Sequence, residues 1–395
     1  MGIEKEIGEV NDMRVKIQDK VMKAEDAITT KGGKKFFKKY DETEKSLIDV
    51  PLAPHSKETI PTFVPGELDQ GNFENLKYVN GTSVEKEIFC AKVEVKLEKE
   101  YKTTVPWVKH VICSLDGHIW ITMSLFSRPG PYGLLQKVKP KGSILEEISQ
   151  YLISVHDMIV TPWNDILLCT NGNKIKRIVN TTGELRNSKY NVGSLIPVSI
   201  CMKDNSIVVG AINNDYPQYG KRVVITMNED GRHDYRHEYN TSGEPMFIYP
   251  ISLACTNHAQ NIFVVDGLSN KYGDRITMLM QDNHCNKIQY YQGHPSINSF
   301  HKKFKPTAIQ AAPSNNIIVN DLGTNTLHIL SQSGQLCAYM DLSDIGIQKG
   351  FSLCCTSKKL FIGNVISPED VGALNKELPM AKLYELSTEG CSYLV

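Results

Sequence analysis

The chain has 395 residues, 44 Lys+Arg against 44 Asp+Glu, and is 41% hydrophobic and 22% charged. One ordinary domain of roughly 100 to 200 residues is excluded, so several domains or one large β architecture is expected. Zero net charge also excludes a surface-wide field for phosphate backbones or anionic lipid; any such contact must come from a local patch.

The first residues, MGIEKEIGEV, carry charges throughout and lack the apolar core of a secretory signal. No stretch approaches the ~18 apolar residues of a spanning helix. The expectation is a cytoplasmic chain without membrane contact. Its ten cysteines (90, 113, 169, 201, 255, 285, 337, 354, 355 and 391) contain no CxxC pair. They are expected to be small buried thiols, with neither a disulfide framework nor a zinc site. In such a compartment the sequons at Asn80, Asn180 and Asn240 carry no glycan.

Ile3, Ile7, Val10, Ile17, Val21, Ala24 and Ile28 step by fours and threes, the seam of a coiled-coil helix over residues 1–30. Arg14 interrupts the seam, and an amphipathic helix folded on its own domain is the alternative. A homodimer through residues 3–28 follows from the coil. Lys31-Gly32-Gly33 ends the helix, and KKFFKKYDETEKSLI (34–48) reads as a second short one. Prolines 51, 54, 61 and 65 with Gly66 and Gly71 break regular structure, so 31–87 is a short helix and linker.

From residue 88 to 395 the helical period gives way to apolar hairpins. Six align: HVICSLDGHIWITM (110–123), DMIVTPWNDILLCT (157–170), VSICMKDNSIVVGA (198–211), ISLACTNHAQNIFVVD (251–266), AIQAAPSNNIIVND (308–321) and FSLCCTSKKLFIGN (351–364). Each turns on small polar residues such as Asp116-Gly117 or Asn164-Asp165. Third strands follow at KIKRIVNTTGEL (174–185), RVVITMNEDGRH (222–233), ITMLMQDNHCNKI (276–288) and TLHILSQSGQLCAY (326–339). Units of about 40 to 55 residues with nearly continuous apolar inner strands predict an all-β six-bladed β-propeller. A pair of β-sandwiches is the alternative fold. The stretch FCAKVEVKLEKEY (89–101) alternates charge with apolar residue and is expected to close the ring as the last blade's outer strand.

The segment NNIIVNDLGTNTLHILSQSGQ (315–335) resembles the blade of NHL-type propellers. The linker words FFKKY, EKSLIDVP and IPTFVPGE (36–67) resemble the segment between coil and propeller in tripartite-motif-like proteins. The resemblance implies an NHL-like propeller behind a coiled-coil arm. Family members act as ubiquitin ligases through RING and B-box zinc modules. Here no cysteine precedes Cys90 and His55 is the sole earlier histidine, so neither module, zinc nor ligase activity carries over. A fragment of such a ligase, its modules encoded upstream, is one alternative.

For chemistry, a calcium-dependent propeller esterase or lactonase would need oxygens converging on the axis. The inner strands offer His110, His156 and Asp157 as their strongly polar residues. His156-Asp157 reads as a structural pair or as two unrelated residues rather than a base and its orienting partner, because neighbours in a strand point to opposite faces. Cys354-Cys355, Met278 and Met280 read as buried filler. No phosphate loop, dinucleotide fingerprint or nucleophile elbow occurs. No cofactor, metal or catalytic residue is expected, and the chain reads as a non-enzyme.

The long loops fall on one face: 126–132, 212–222, 267–274, 293–305 and 366–380. They mix bases with rings at Arg128, Tyr132, Tyr216, Tyr219, Lys221, Arg222, Lys271, Tyr272, Lys302, Lys303, Phe304 and Lys305. That mixture suits a protein hot spot or stacked single-stranded RNA, and ordinary solvated loops with Phe304 tucked into the blade are the alternative. The function expected is an adaptor that recruits a protein target, with an RNA-binding regulator as alternative.

Overall fold

The computed structural model describes residues 91–395 except 94, 125–132, 214–219, 257–260, 268–273, 283–284, 367–378 and 395. The coiled-coil arm and the linker over 31–87 lie outside the described residues. No helix among the described residues is long and apolar enough to cross a membrane.

Two lead strands, β1 (Ala91–Lys92) and β2 (Lys96–Lys102), precede the repeats. Four antiparallel strands then follow one another as β3 (His110–Cys113), β4 (Ile119–Ser124), β5 (Gly133–Lys141) and β6 (Ile144–Leu152). The pattern recurs in β7 (Asp157–Val160), β8 (Ile166–Cys169), β9 (Lys174–Val179) and β10 (Glu184–Asn191). It recurs in β11 (Ile196–Lys203), β12 (Ser206–Ile212), β13 (Arg222–Met227) and β14 (His233–His237). Next come β15 (Pro250–Cys255), β16 (Ile262–Asp266), β17 (Arg275–Asp282) and β18 (Cys285–Tyr291), then β19 (Pro306–Ala311), β20 (Ile317–Asp321), β21 (Thr326–Leu330) and β22 (Leu336–Asp341). The last set, β23 (Gly350–Cys355), β24 (Lys359–Asn364) and β25 (Lys382–Ser387), takes its fourth strand from the other end of the described chain. The first strands β3, β7, β11, β15, β19 and β23 touch in that order, and β23 touches β3.

Closure is by β2, antiparallel to β25 with Lys102 opposite Lys382. The expected closing stretch is divided, however. Its first part, β1, runs parallel to β22 as a fifth strand of the neighbouring sheet, and Val93 N extends that ladder to Tyr339 O at 2.8 Å. Each lead strand thus covers an edge that would otherwise be open to another chain.

The apolar runs have a packing cause. Alternate residues of β12 face opposite ways: Ile207 and Val209 pack with Leu167 and Ile175 of the preceding sheet, while Val208 packs with Ile262 and Val264 of the following one. Both faces are covered, so alternation disappears from the sequence. Outer strands such as β10 and β14 are exposed and polar. The turn residues act as expected: Asn164, Asp204 and Asn315 hold φ of 65°, 51° and 63°, conformations that Asn and Asp tolerate.

Neighbouring sheets are also clasped near the starts of their first strands. Ser199 Oγ donates to Pro250 O (2.7 Å), Thr307 Oγ1 to Phe351 O (2.8 Å) and Ser352 Oγ to Val108 O (2.8 Å). Ile200 N donates to Asp157 Oδ2 (2.9 Å) and Lys109 Nζ to Val155 O (3.1 Å). These bonds fix the first strands around an axis and set the side chains at its mouth.

Candidate functional site

The first strands enclose a cavity of about 440 Å³ on the axis. Its wall is mostly Ile, Leu, Met, Val, Ala and Cys, with His110, Asp157, Gln310 and Asn315 and the hydroxyls of Ser252, Ser352, Thr356 and Ser357 among them. A small concave space lined by apolar side chains and a few directed polar ones is the usual form of a small-molecule site.

His110 opens β3 and Asp157 opens β7, so the ring order places them side by side across two sheets. His110 Nδ1 stands 3.5 Å from Asp157 Oδ1. His110 Nε2 is buried and makes no hydrogen bond, although the His156 backbone lies beside the ring. Asp157 Oδ1 accepts from Met158 N (2.9 Å) and Oδ2 from Ile200 N (2.9 Å), which locks the carboxylate's orientation.

The electrostatics favour neutral forms. Burial pushes the Asp157 carboxyl up to about 7, against the two amides and the Lys109 charge. Burial brings Lys109 down to about 8, opposed by Asp157. It holds His110 well below the ordinary histidine value, helped by Lys109 and His156, so near neutral pH the imidazole is uncharged. Cys169, behind Asp157, is driven well above the usual thiol range by burial and then by that carboxylate.

The sequence-adjacent pair does not form: His156 Nε2 turns to Asn171 Oδ1 at 2.7 Å, away from Asp157. No group of three or more His, Cys, Asp or Glu among the described residues is placed to hold a metal ion. Asp157 is the one carboxylate among the described residues lining the cavity, a wall poor in the charged oxygens of a hard-cation site.

The cysteine expectation is corrected at one place. Cys201 and Cys255, 54 residues apart, form a disulfide between β11 and β15 because the ring brings those strands together. Cys113, Cys169, Cys337, Cys354, Cys355 and Cys391 are free.

Of the loop residues proposed as a binding surface, Arg128, Tyr132, Tyr216, Tyr219, Lys271 and Tyr272 lie outside the described residues. Lys221, Lys302, Lys303 and Lys305 are exposed. Arg222 is buried, its guanidinium bonded to Ile248 O (3.1 Å) and Asn213 Oδ1 (2.7 Å). Phe304 is a core residue, edge-on to Tyr291 at 5.4 Å and beside His328. The exposed ring of that loop is Phe300, 82% accessible, with Lys303 Nζ 5.6 Å above it.

No protein-family model matches the chain, and no curated protein matches it. Solved structures do. A luciferin-regenerating enzyme superposes with a TM-score of 0.51 at 11% identity, over 74% of this chain and 95% of its own. The calcium-binding protein regucalcin of Agrobacterium tumefaciens gives 0.51 at 10% identity, over 73% and 93%. A gluconolactonase of Xanthomonas campestris gives 0.46 at 12%, over 74% and 98%. This chain has a β-propeller-type fold. At such identities the likeness speaks for fold alone. It nevertheless overturns the non-enzyme expectation, which had passed from a propeller without sequence motifs to a passive role: an enzyme stands among the structures that share the fold.

Proposed function

We propose that the axial cavity is the active site of a small-molecule hydrolase acting on an ester or lactone, with His110 as general base and Asp157 as the residue that orients it. The observation that carries this reading is the pairing of two cavity-lining residues, the His110 ring with its Nδ1 3.5 Å from Asp157 Oδ1. In the reaction, Nε2 takes a proton from water as its oxygen bonds to the carbonyl carbon. The ring then returns the proton to the departing alkoxide. The ionised form of Asp157, which its value of about 7 makes available toward and above neutral pH, steadies the imidazolium between those steps. The luciferin-regenerating and gluconolactonase names of the fold neighbours agree with small-molecule chemistry. The calcium-dependent form of the idea does not fit the donor set, and no metal enters the steps.

A panel of chromogenic esters and of lactones followed by pH-stat tests it. Turnover that His110→Gln lowers about 100-fold or more, and that a chelator leaves unchanged, is expected. No turnover across the panel, or full turnover in His110→Gln, overturns it.

The finer architecture belongs to the same proposal: a six-bladed, NHL-like disc over 88–395 behind a coiled-coil arm. It is supported by the cyclic contacts of six first strands. A second reading, protein docking on the long-loop face, is favoured by exposed Phe300 with Lys302 and Lys303 beside it. Affinity capture lost on Phe300→Ala, with catalysis intact, would support it.

A further inference from the structure

Five of the ten cysteines, Cys113, Cys201, Cys255, Cys354 and Cys355, line the axial cavity. The Cys201–Cys255 disulfide shows which positions meet across a seam between sheets. Cys201 lies two residues before Lys203, which pairs with Ser206 to close its hairpin. Cys255 lies one residue before Thr256, whose amide donates to Asn261 O. Across the seam between the last and first sheets the same offsets recur. Cys354 lies two residues before Thr356, bonded to Lys359, and Cys113 lies one before Ser114, bonded to His118. As β11 adjoins β15, so β23 adjoins β3. Cys354 and Cys113 therefore stand where Cys201 and Cys255 stand. Both thiols line the cavity, Cys354 belongs to the apolar cluster that holds Val111 and Phe361, and Cys113 packs against that cluster.

We propose that Cys113 and Cys354 are a redox-active dithiol that a peroxide converts into an inter-sheet disulfide, stapling β23 to β3 where the ring closes. In the first step the Cys354 thiolate attacks a peroxide oxygen. The O–O bond breaks, hydroxide leaves and takes up the thiol's proton as water, and Cys354 becomes a sulfenic acid. The Cys113 sulfur then bonds to Cys354 sulfur, the S–O bond breaks, and a second water leaves with the Cys113 proton. Two thiols are oxidised and one peroxide is reduced to two waters. Cys354 is the initiating group because the neighbouring Cys113 thiol holds its own below the ordinary range despite burial. Cys355 is the poorer candidate: burial, then Cys354 and Cys391, push its thiol up to about 12.

The full chain is treated with graded hydrogen peroxide, remaining thiols are blocked with N-ethylmaleimide, and non-reducing digests are mapped by mass spectrometry. The expected result is a Cys113–Cys354 crosslinked peptide that grows with peroxide, disappears with dithiothreitol, and accompanies a loss of two hydrogens from the intact chain. Cys113→Ser should leave Cys354 as a sulfenic acid trapped by dimedone. Alkylation of both wild-type residues at every peroxide level overturns the proposal, as does a crosslink joining Cys355 to Cys354 or Cys391. The wild-type map decides the matter even where the variant fails to fold.

Discussion

His110 and Asp157 lie 3.5 Å apart although no backbone ladder joins their strands, so the pair exists only because two sheets are held at one register around the axis. Ile200 N, reaching back from β11 to Asp157 Oδ2, is part of what holds it. A charge placed there has consequences for stability as well as for chemistry.

The raised Asp157 value predicts a pH signature. The folded chain keeps the proton to about pH 7, whereas the unfolded chain releases it near 3.8. Its contribution is therefore full below 3.8 and is lost as pH rises through 7, a change of order 4 kcal/mol at about 1.4 per unit. His110, held low, works in the opposite direction: its neutral folded form costs stability below about 6.5. The test is the difference between Asp157→Asn and wild type in melting midpoint, measured from pH 4 to 8. It should move in favour of the variant as pH rises, and a flat difference would show that Asp157 does not titrate in the folded chain.

The clasp between sheets depends on an absent side chain. A Cβ on Gly210 would lie 2.2 Å from Ser199 Oγ and 3.1 Å from Pro250 O. Gly210→Ala should cost about 1–3 kcal/mol in urea unfolding, as overpacking does. Adding Ser199→Ala removes the nearest atom and should restore part of that loss, although by itself it forfeits the bond to Pro250 O, about 1 kcal/mol. Strictly additive losses would show that the hydroxyl is not what the methyl meets.

Much of this frame is legible in the sequence because its signals are local. Asp116-Gly117, Asn164 and Asn315 mark hairpins by turn chemistry, and the alternation through Lys96–Lys102 marks an edge strand. What failed to show was every contact between sheets. Side-by-side packing has no hydrogen-bond register to read, so a sequence offers His156-Asp157, its within-strand neighbours, and hides His110–Asp157. The same blindness concealed the Cys201–Cys255 bond. Phe304 and Phe300 share one basic loop and cannot be told apart by composition; only the pocket made by Tyr291 and His328 selects Phe304 for the core.

Asp266 is fully buried and charged groups meet on it. Arg275 Nε and Nη2 approach Oδ2 at 3.0 and 2.9 Å, while Ile248 N and Tyr249 N bond Oδ1 at 2.7 and 2.8 Å. Arg275→Ala strands the carboxylate and should lower stability by about 3–5 kcal/mol. Arg275→Lys restores charge without the two-pronged geometry and should fall between the two. Equal stability of Arg275→Ala and wild type would mean that the amides alone satisfy Asp266.

The ring's own closure is testable through Tyr101 on β2, whose hydroxyl donates to Glu385 on β25 while Lys359 on β24 donates to the other carboxylate oxygen. Burial works to raise Glu385, yet the bonds from Lys359 and Tyr101 outweigh it and hold the carboxyl below its ordinary value. Tyr101→Phe keeps the ring and deletes one charge-assisted bond, for a loss of about 1.5–3 kcal/mol. Because that bond joins the lead strand to the last sheet, the loss should surface first as faster amide exchange in β2 and β25, with β11 to β13 unchanged. Uniformly faster exchange would instead mean that closure and the rest of the ring open as one cooperative unit.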